Sequence, residues 1–268
     1  MGTDADVVIT ALQAGADHLV PIVRTLTAEQ LTAPSAAADW DVSQVLSHLG
    51  SGGALALAAL DAALAGQPNP GMDMNRAVWA TWDAMSPQER ADGFVASNAR
   101  LLDRYHGIGE PARASLRVDL GFLPAPVDLA TAAKFRLNEY TLHSWDVRVA
   151  FDPAAVLQPA AVPLLLDLVA PMVGWLARPA PLEGRSVTVR VDLRDPERSL
   201  VLALGEQTSI AAVPADAAPA KVDGVLALPA EAWLRLVAGR LKPPYTPCGA
   251  VAATGVSLDT LRAVFAGY

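Results

Sequence analysis

The chain has 268 residues, of which 52% are hydrophobic and 18% charged, with a formal net charge of −8. That composition supports a sizeable core and excludes a disordered chain, and the length allows one large or two modest domains. The negative charge argues against nucleic acid or an anionic membrane as partner, so an anionic substrate would need a local metal or arginine to draw it in.

The N-terminal segment contains Asp4 and Asp6 and no basic region, so it does not read as a signal peptide. Residues 4–26 carry Val8, Leu12, Leu19, Val23 and Leu26 at helical spacing and predict one long helix, bent at Pro21. His18 in that helix has no charged partner at useful spacing and reads as an exposed or hydrogen-bonded histidine. After a turn region, Asp41 with Gln44 three residues on forms a capping-box start, and Val42, Val45, Leu46 and Leu49 mark the buried face of a second helix. His48 falls on the border of that face, where a lone histidine is more often a satisfied border residue than a ligand. Gly50, Gly52 and Gly53 each cost a helix about 1 kcal/mol. They imply either a break or the close approach of another backbone.

Residues 66–72 read as a loop, and Ser86-Pro87-Gln88-Glu89 as a strong helix start, with the helix running to about Tyr105. Residues 107–127 are rich in Pro and Gly and expected to be irregular, ending at Asp128, a cap for the next helix. That helix contains the stretch KFRLNEYTLHSWDVRVA, residues 134–150. It sets Glu139, His143 and Asp146 at offsets of four and three, which puts all three on one helical face. A carboxylate and an imidazole four apart can grip one divalent cation, with Asp146 orienting the imidazole through its second nitrogen. Alone, such a pair is more often a solvated helix face. Arg136, on the same face, reads as an exposed neighbour rather than a substrate-side charge. The four main helices of residues 1–150 predict an up-down bundle, the kind of core in which facing helices build metal sites.

Phe151-Asp152-Pro153 stops the fourth helix, and a further helical segment reaches about Ala177. The apolar windows at residues 50–66 and 162–176 are short or broken, so neither is expected to span a bilayer. From Ser186 the period changes from helical to alternating. Strands are expected at 187–193, 200–204, 208–213 and 221–228, then helices at 229–240 and 257–266, an α+β module. The expected domains are 1–180 and 181–268. Cys248, the single cysteine, excludes an intramolecular disulfide and a cysteine-based zinc site. In its Pro-rich turn it reads as an incidental thiol.

Three features together carry a resemblance: Trp40-Asp41-Val42 with Val45-Leu46 and His48-Leu49; Asn138-Glu139 with His143 and Trp145-Asp146; and the α+β tail with Trp233 and Gly239-Arg240. The combination resembles the mycothiol-dependent maleylpyruvate isomerase family over nearly the whole chain. The resemblance implies a DinB-like four-helix bundle followed by a small sterol-carrier-like α+β domain. It also implies a divalent metal, usually zinc, held by His48, Glu139 and His143; Asp146 reads as a support for His143 or as a structural partner to a nearby helix end. Three such ligands leave an open position, as in catalytic zinc sites. Mycothiol would occupy it, lose its proton, add to the cis double bond of a maleylpyruvate-like substrate, allow rotation, and leave.

Relatives in the wider superfamily transfer the activated thiol to small electrophiles instead. Arg240 matches a Gly-Arg pattern of the family's second domain and would hold a substrate carboxylate; it also reads as a helix-end arginine complementing the dipole. The expected partners are a small thiol and a small electrophile in the cytoplasm, with no nucleic acid and no membrane. Two other readings stand beside this one. The first is an apolar-ligand or lipid-binding protein working through its α+β half, with a structural metal; the second is a metal-dependent interaction module without catalysis.

Overall fold

Side chains that satisfy the first free amides of a helix set several helix starts in the computed structural model, which describes residues 4–213, 221–247, 249 and 252–267. Cys248 and its reading as an incidental thiol lie outside the described residues. Helix α1 (Asp4–Val23) buries Val8, Leu12, Leu19 and Val23 along one face, and a capping box at Thr27 opens the short α2 (Ala28–Leu31). Asp41 accepts from the Gln44 amide at 2.8 Å while Gln44 accepts from the Asp41 amide at 2.9 Å. That reciprocal box opens α3 (Val42–Leu64). The same device at Ser86 and Glu89 opens α5 (Pro87–His106). Asp128 caps α7 (Leu129–Arg148), accepting from the Thr131 amide at 2.8 Å.

Between α3 and α5 lies α4 (Met72–Asp83), which begins at Gly71 without a side-chain cap. The segment expected to be irregular holds α6 (Glu110–Ser115) and a short antiparallel pair, β1 (Arg117–Val118) with β2 (Val127–Asp128). Helices α1, α3, α5 and α7 close the expected four-helix bundle, α3 packing on both α5 and α7, and α1 on both α7 and α5. Helix α7 is buried on nearly every side, including the polar Asn138, Thr141, Ser144 and Asp146, as befits a central helix.

Helix α3 runs unbroken through Gly50, Gly52 and Gly53, and what approaches there is chiefly side chain. A Cβ on Gly50 would lie 2.0 Å from the Trp82 ring, one on Gly52 3.0 Å from Arg136 Nη1, and one on Gly53 3.0 Å from Ser97 Oγ. Helices α1 and α3 are long and apolar enough by length and composition to cross a membrane. The apolar window read at residues 50–66 belongs to a helix that begins at Val42 and is therefore longer than the window suggested. Both helices bury close to half of those stretches within the structure, a use of apolar residues common to core helices of folded domains.

The chain divides into two compact units, residues 1–152 and 153–268, ahead of the boundary read near residue 180. The reason is α8 (Val162–Val169), whose buried Val162, Leu165, Leu166 and Val169 belong with α10 (Ala230–Val237), on which the helix packs. Helix α9 (Val173–Leu176) follows it. The second unit is the expected α+β module. Strands β3 (Val187–Arg194), β4 (Arg198–Leu204), β5 (Ser209–Ala212), β6 (Gly224–Pro229) and β7 (Ala252–Thr254) form one sheet in the order β5-β4-β3-β6-β7. Strand β3 is antiparallel to β4 and parallel to β6. Val189, Val191 and Leu193 are buried in alternation along β3, the period-two pattern of a half-buried strand. Helix α10 carries a buried ion pair, Arg235 forking onto Glu231 at 2.7 and 2.8 Å, and α11 (Leu258–Val264) follows β7.

Candidate metal centre

Offsets of four and three along α7 bring Glu139, His143 and Asp146 to one face, and that face meets His48 from α3. His48 Nε2 lies 3.1 Å from Glu139 Oε2, and His143 Nε2 lies 3.7 Å from the same oxygen. The two imidazole rings are 4.5 Å apart, edge to face. Donor atoms of His48, Glu139 and His143 all lie within 4.8 Å of one another. A tetrahedral zinc ion with bonds of roughly 2.0–2.1 Å separates neighbouring donors by about 3.3–3.4 Å. The separations of the two histidines from Glu139 bracket that value, and with every donor within 4.8 Å of the others the set could close on a divalent ion after side-chain adjustment.

The remaining nitrogen of His143 is held from behind. Its Nδ1 lies 2.9 Å from Asp146 Oδ2, and the Asp146 side chain is fully buried. A carboxylate there keeps the proton on Nδ1, so Nε2 turns its lone pair toward the cluster. Asp146 also helps to fold the site, since its backbone carbonyl accepts from the Ala36 amide at 3.2 Å. Trp40 flanks both rings, at 5.3 Å from His48 and 6.0 Å from His143. Burial pushes the Glu139 carboxyl up, but the His48 hydrogen bond and the charges of His143, His48 and Arg136 outweigh it and bring it down to about 2. Glu139 is therefore a carboxylate at any physiological pH, ready to ligate without losing a proton.

Arg136 corrects the expectation of an exposed neighbour: only 6% of it is exposed. Its Nη2 donates to the Leu49 carbonyl at 2.7 Å, tying α7 to α3 beside His48. The guanidinium lies against Gly52 and Gly53 and 5.8 Å from the Tyr140 ring centre, within cation–π range. Its Nε finds no hydrogen-bond partner among the described residues. The charge that α3 accommodates by omitting two side chains stands one turn before Glu139 and acts on it through space.

His48 also lines a cavity of about 310 Å³ that includes Trp40, Gln44, Trp79, Trp82, Asp83 and Arg90. Apart from Trp40 and Gln44 these residues were not candidates on sequence. The available signal was Trp79, Trp82 and Asp83 at helical spacing in residues 72–83, a segment not recognised as a helix. Arg240 belongs to the second unit, follows Gly239 (φ 71°) and donates from Nη1 to the Ala238 carbonyl at 3.1 Å. The four clustered residues, His48, Glu139, His143 and Asp146, all belong to the first unit.

Residues 12–148, more than half of the chain, match the family model described as the mycothiol maleylpyruvate isomerase N-terminal domain. The fold is similar to the crystal structure of the mycothiol-dependent maleylpyruvate isomerase, with a TM-score of 0.63 at 14% sequence identity, covering 96% of this chain and 98% of that one. A mutant of that enzyme gives a TM-score of 0.62 with the same identity and coverage. No curated protein matches the chain.

Proposed function

The chain belongs to the mycothiol maleylpyruvate isomerase N-terminal domain family, and from that premise we propose that it is a metal- and mycothiol-dependent enzyme isomerising a small cis-unsaturated keto acid of the maleylpyruvate type. The observation that carries this reading is the convergence of His48, Glu139 and His143 donors from two helices at separations a small divalent ion would bridge. Three protein donors leave room for an exogenous group, the pattern of a catalytic rather than a structural site. A divalent ion, read here as zinc, supplies the Lewis acidity that lets a coordinating thiol ionise at neutral pH.

The protein's own residues do the rest. Glu139 contributes a negative charge that neutral pH does not remove, and Asp146 fixes the His143 ring so that one nitrogen faces the site. Thiolate addition to the cis double bond forms a C–S bond and moves the π pair toward the neighbouring carbonyl. Rotation about the new single bond and expulsion of the thiolate restore the double bond as trans, so the thiol is regenerated and no oxidant is needed. Arg240 is proposed to hold a substrate carboxylate through its planar fork. Transfer of the same thiol to an electrophile would use the same residues up to the addition step. Small-molecule partners and a cytoplasmic location complete the proposal.

Elemental analysis of the purified protein tests it first. About one zinc per chain is expected, lost on His143→Ala, together with cis-to-trans isomerisation that requires both metal and mycothiol. Full metal content in the variant would refute the ligand assignment. A metal-free protein that carries lipid and shows no thiol-dependent reaction would transfer the function to an apolar-ligand carrier.

A further inference from the structure

Two of the three donors, Glu139 and His143, ride on α7, and the third, His48, on α3. The cluster therefore exists only while those two helices keep one register. Apolar packing holds helices together without direction. A slip of one residue along a helix moves a side chain by roughly 1.5 Å, about half of the 3.1 Å between His48 Nε2 and Glu139 Oε2.

Arg136 supplies the missing direction. It stands one turn before Glu139 on α7, and the groove it enters is opened by Gly52 and Gly53 on α3, Gly52 being one turn after His48. The arginine and the cluster are thus successive layers of one helix–helix contact. In its layer Arg136 Nη2 donates at 2.7 Å to the carbonyl of Leu49, the residue next to His48. A carbonyl keeps a second lone pair after its helical bond, so the tie forms while α3 stays continuous. For packing alone a guanidinium is a poor choice. Arg136 is buried, its Nε has no hydrogen-bond partner, and among the described residues it makes no ion pair. A leucine or methionine would fill the space without a buried charge, and without two glycines inside a helix. What the guanidinium adds is a directed bond of fixed length between the helices.

We propose that Arg136 is a positioning residue for the metal centre: its bond to the Leu49 carbonyl fixes α3 against α7 and so holds His48 opposite Glu139 and His143 before any ion arrives. The consequence for ion affinity rests on the metal-binding reading of the cluster; the placement of His48 is read without metal.

Full-length wild type and Arg136→Met are compared by two measurements. In the metal-free protein the His48 and His143 rings, 4.5 Å apart, should give nuclear Overhauser contacts between their ring protons. Arg136→Met should lose those contacts while its circular dichroism remains that of the folded chain. In a zinc titration against a chromophoric chelator, Arg136→Met should bind about ten- to a hundredfold more weakly, the usual effect of removing a group that supports a ligand from behind. Arg136→Lys, which keeps the charge and a donor, should recover part of both signals. His48→Ala should weaken zinc binding in the wild type and add little in Arg136→Met, where His48 is already displaced. If Arg136→Met does not fold, Gly52→Val decides by the same two measurements: it keeps the arginine but displaces its fork, since a Cβ there already lies 3.0 Å from Nη1. A folded variant that kept the ring contacts and the zinc affinity of wild type would overturn the inference, even in a protein that binds zinc through all three donors. So would a wild type without ring contacts. Contacts present in wild type and lost in the variant, in a protein that takes up no zinc at all, would uphold the positioning and reject the metal reading.

Discussion

Burial pushes the Glu139 carboxyl up, yet the His48 hydrogen bond and the charges of His143, His48 and Arg136 outweigh it and hold the group at about 2. The direction has a consequence for the metal-free protein. A folded-state value of about 2 lies below the unfolded carboxylate near 4.3. The contribution of this ionised group to stability is therefore complete above about pH 4.3 and is lost as pH falls toward 2. Urea unfolding of metal-free wild type and Glu139→Gln should show an advantage for the wild type at pH 5 that shrinks steadily by pH 3. An advantage that held constant or grew over that interval would mean that nothing in the fold favours the carboxylate. Arg136 shows how a residue's environment escapes inspection of its own helix. Its position on the Glu139 face was legible from spacing, but its burial was decided by Gly52 and Gly53 on another helix, where missing side chains make room for the guanidinium.

At the level of elements, helix starts were legible wherever a side chain caps them. Asp41, Ser86 and Asp128 each accept the expected amide, and the spacing of Glu139, His143 and Asp146 on α7 followed directly from the helical repeat. What spacing could not supply was His48, 91 positions away from Glu139. Its place depends on how α3 packs on α7, and the family resemblance supplied what periodicity lacked. Helix α4 was missed because it starts at Gly71 without a side-chain cap and of its twelve residues buries only Trp82, leaving little amphipathic signal. Yet that one indole is what α3 has been shaped to receive. Gly50→Ala should gain roughly 0.5–1 kcal/mol of helix propensity and lose more to overpacking against Trp82, which typically costs about 1–3 kcal/mol. A net destabilisation of about 1 kcal/mol is expected in denaturant unfolding, with a shift in tryptophan emission as the ring is displaced. A stabilised variant with unchanged emission would mean that Trp82 does not occupy the notch.

For the molecule as a whole, the change of sequence period from helical to alternating announced two kinds of architecture but placed their border too late. Helix α8 has an apolar face that reads the same whichever unit it joins, and only its packing on α10 assigns it to the second. The division matters for metal binding, because His48, Glu139, His143, Asp146 and Arg136 all fall within residues 1–152. An ion that binds the folded state alone stabilises it by mass action, by about 2.7 kcal/mol at a free concentration one hundred times the dissociation constant. That free energy enters through α3 and α7, the two helices that carry the donors. Hydrogen–deuterium exchange with and without zinc should therefore slow in residues 42–64 and 129–148, and chelation should reverse the effect together with a fall in unfolding temperature. Slowing confined to residues 153–267 would place the ion in the α+β unit and leave the histidine–carboxylate cluster a polar contact between helices.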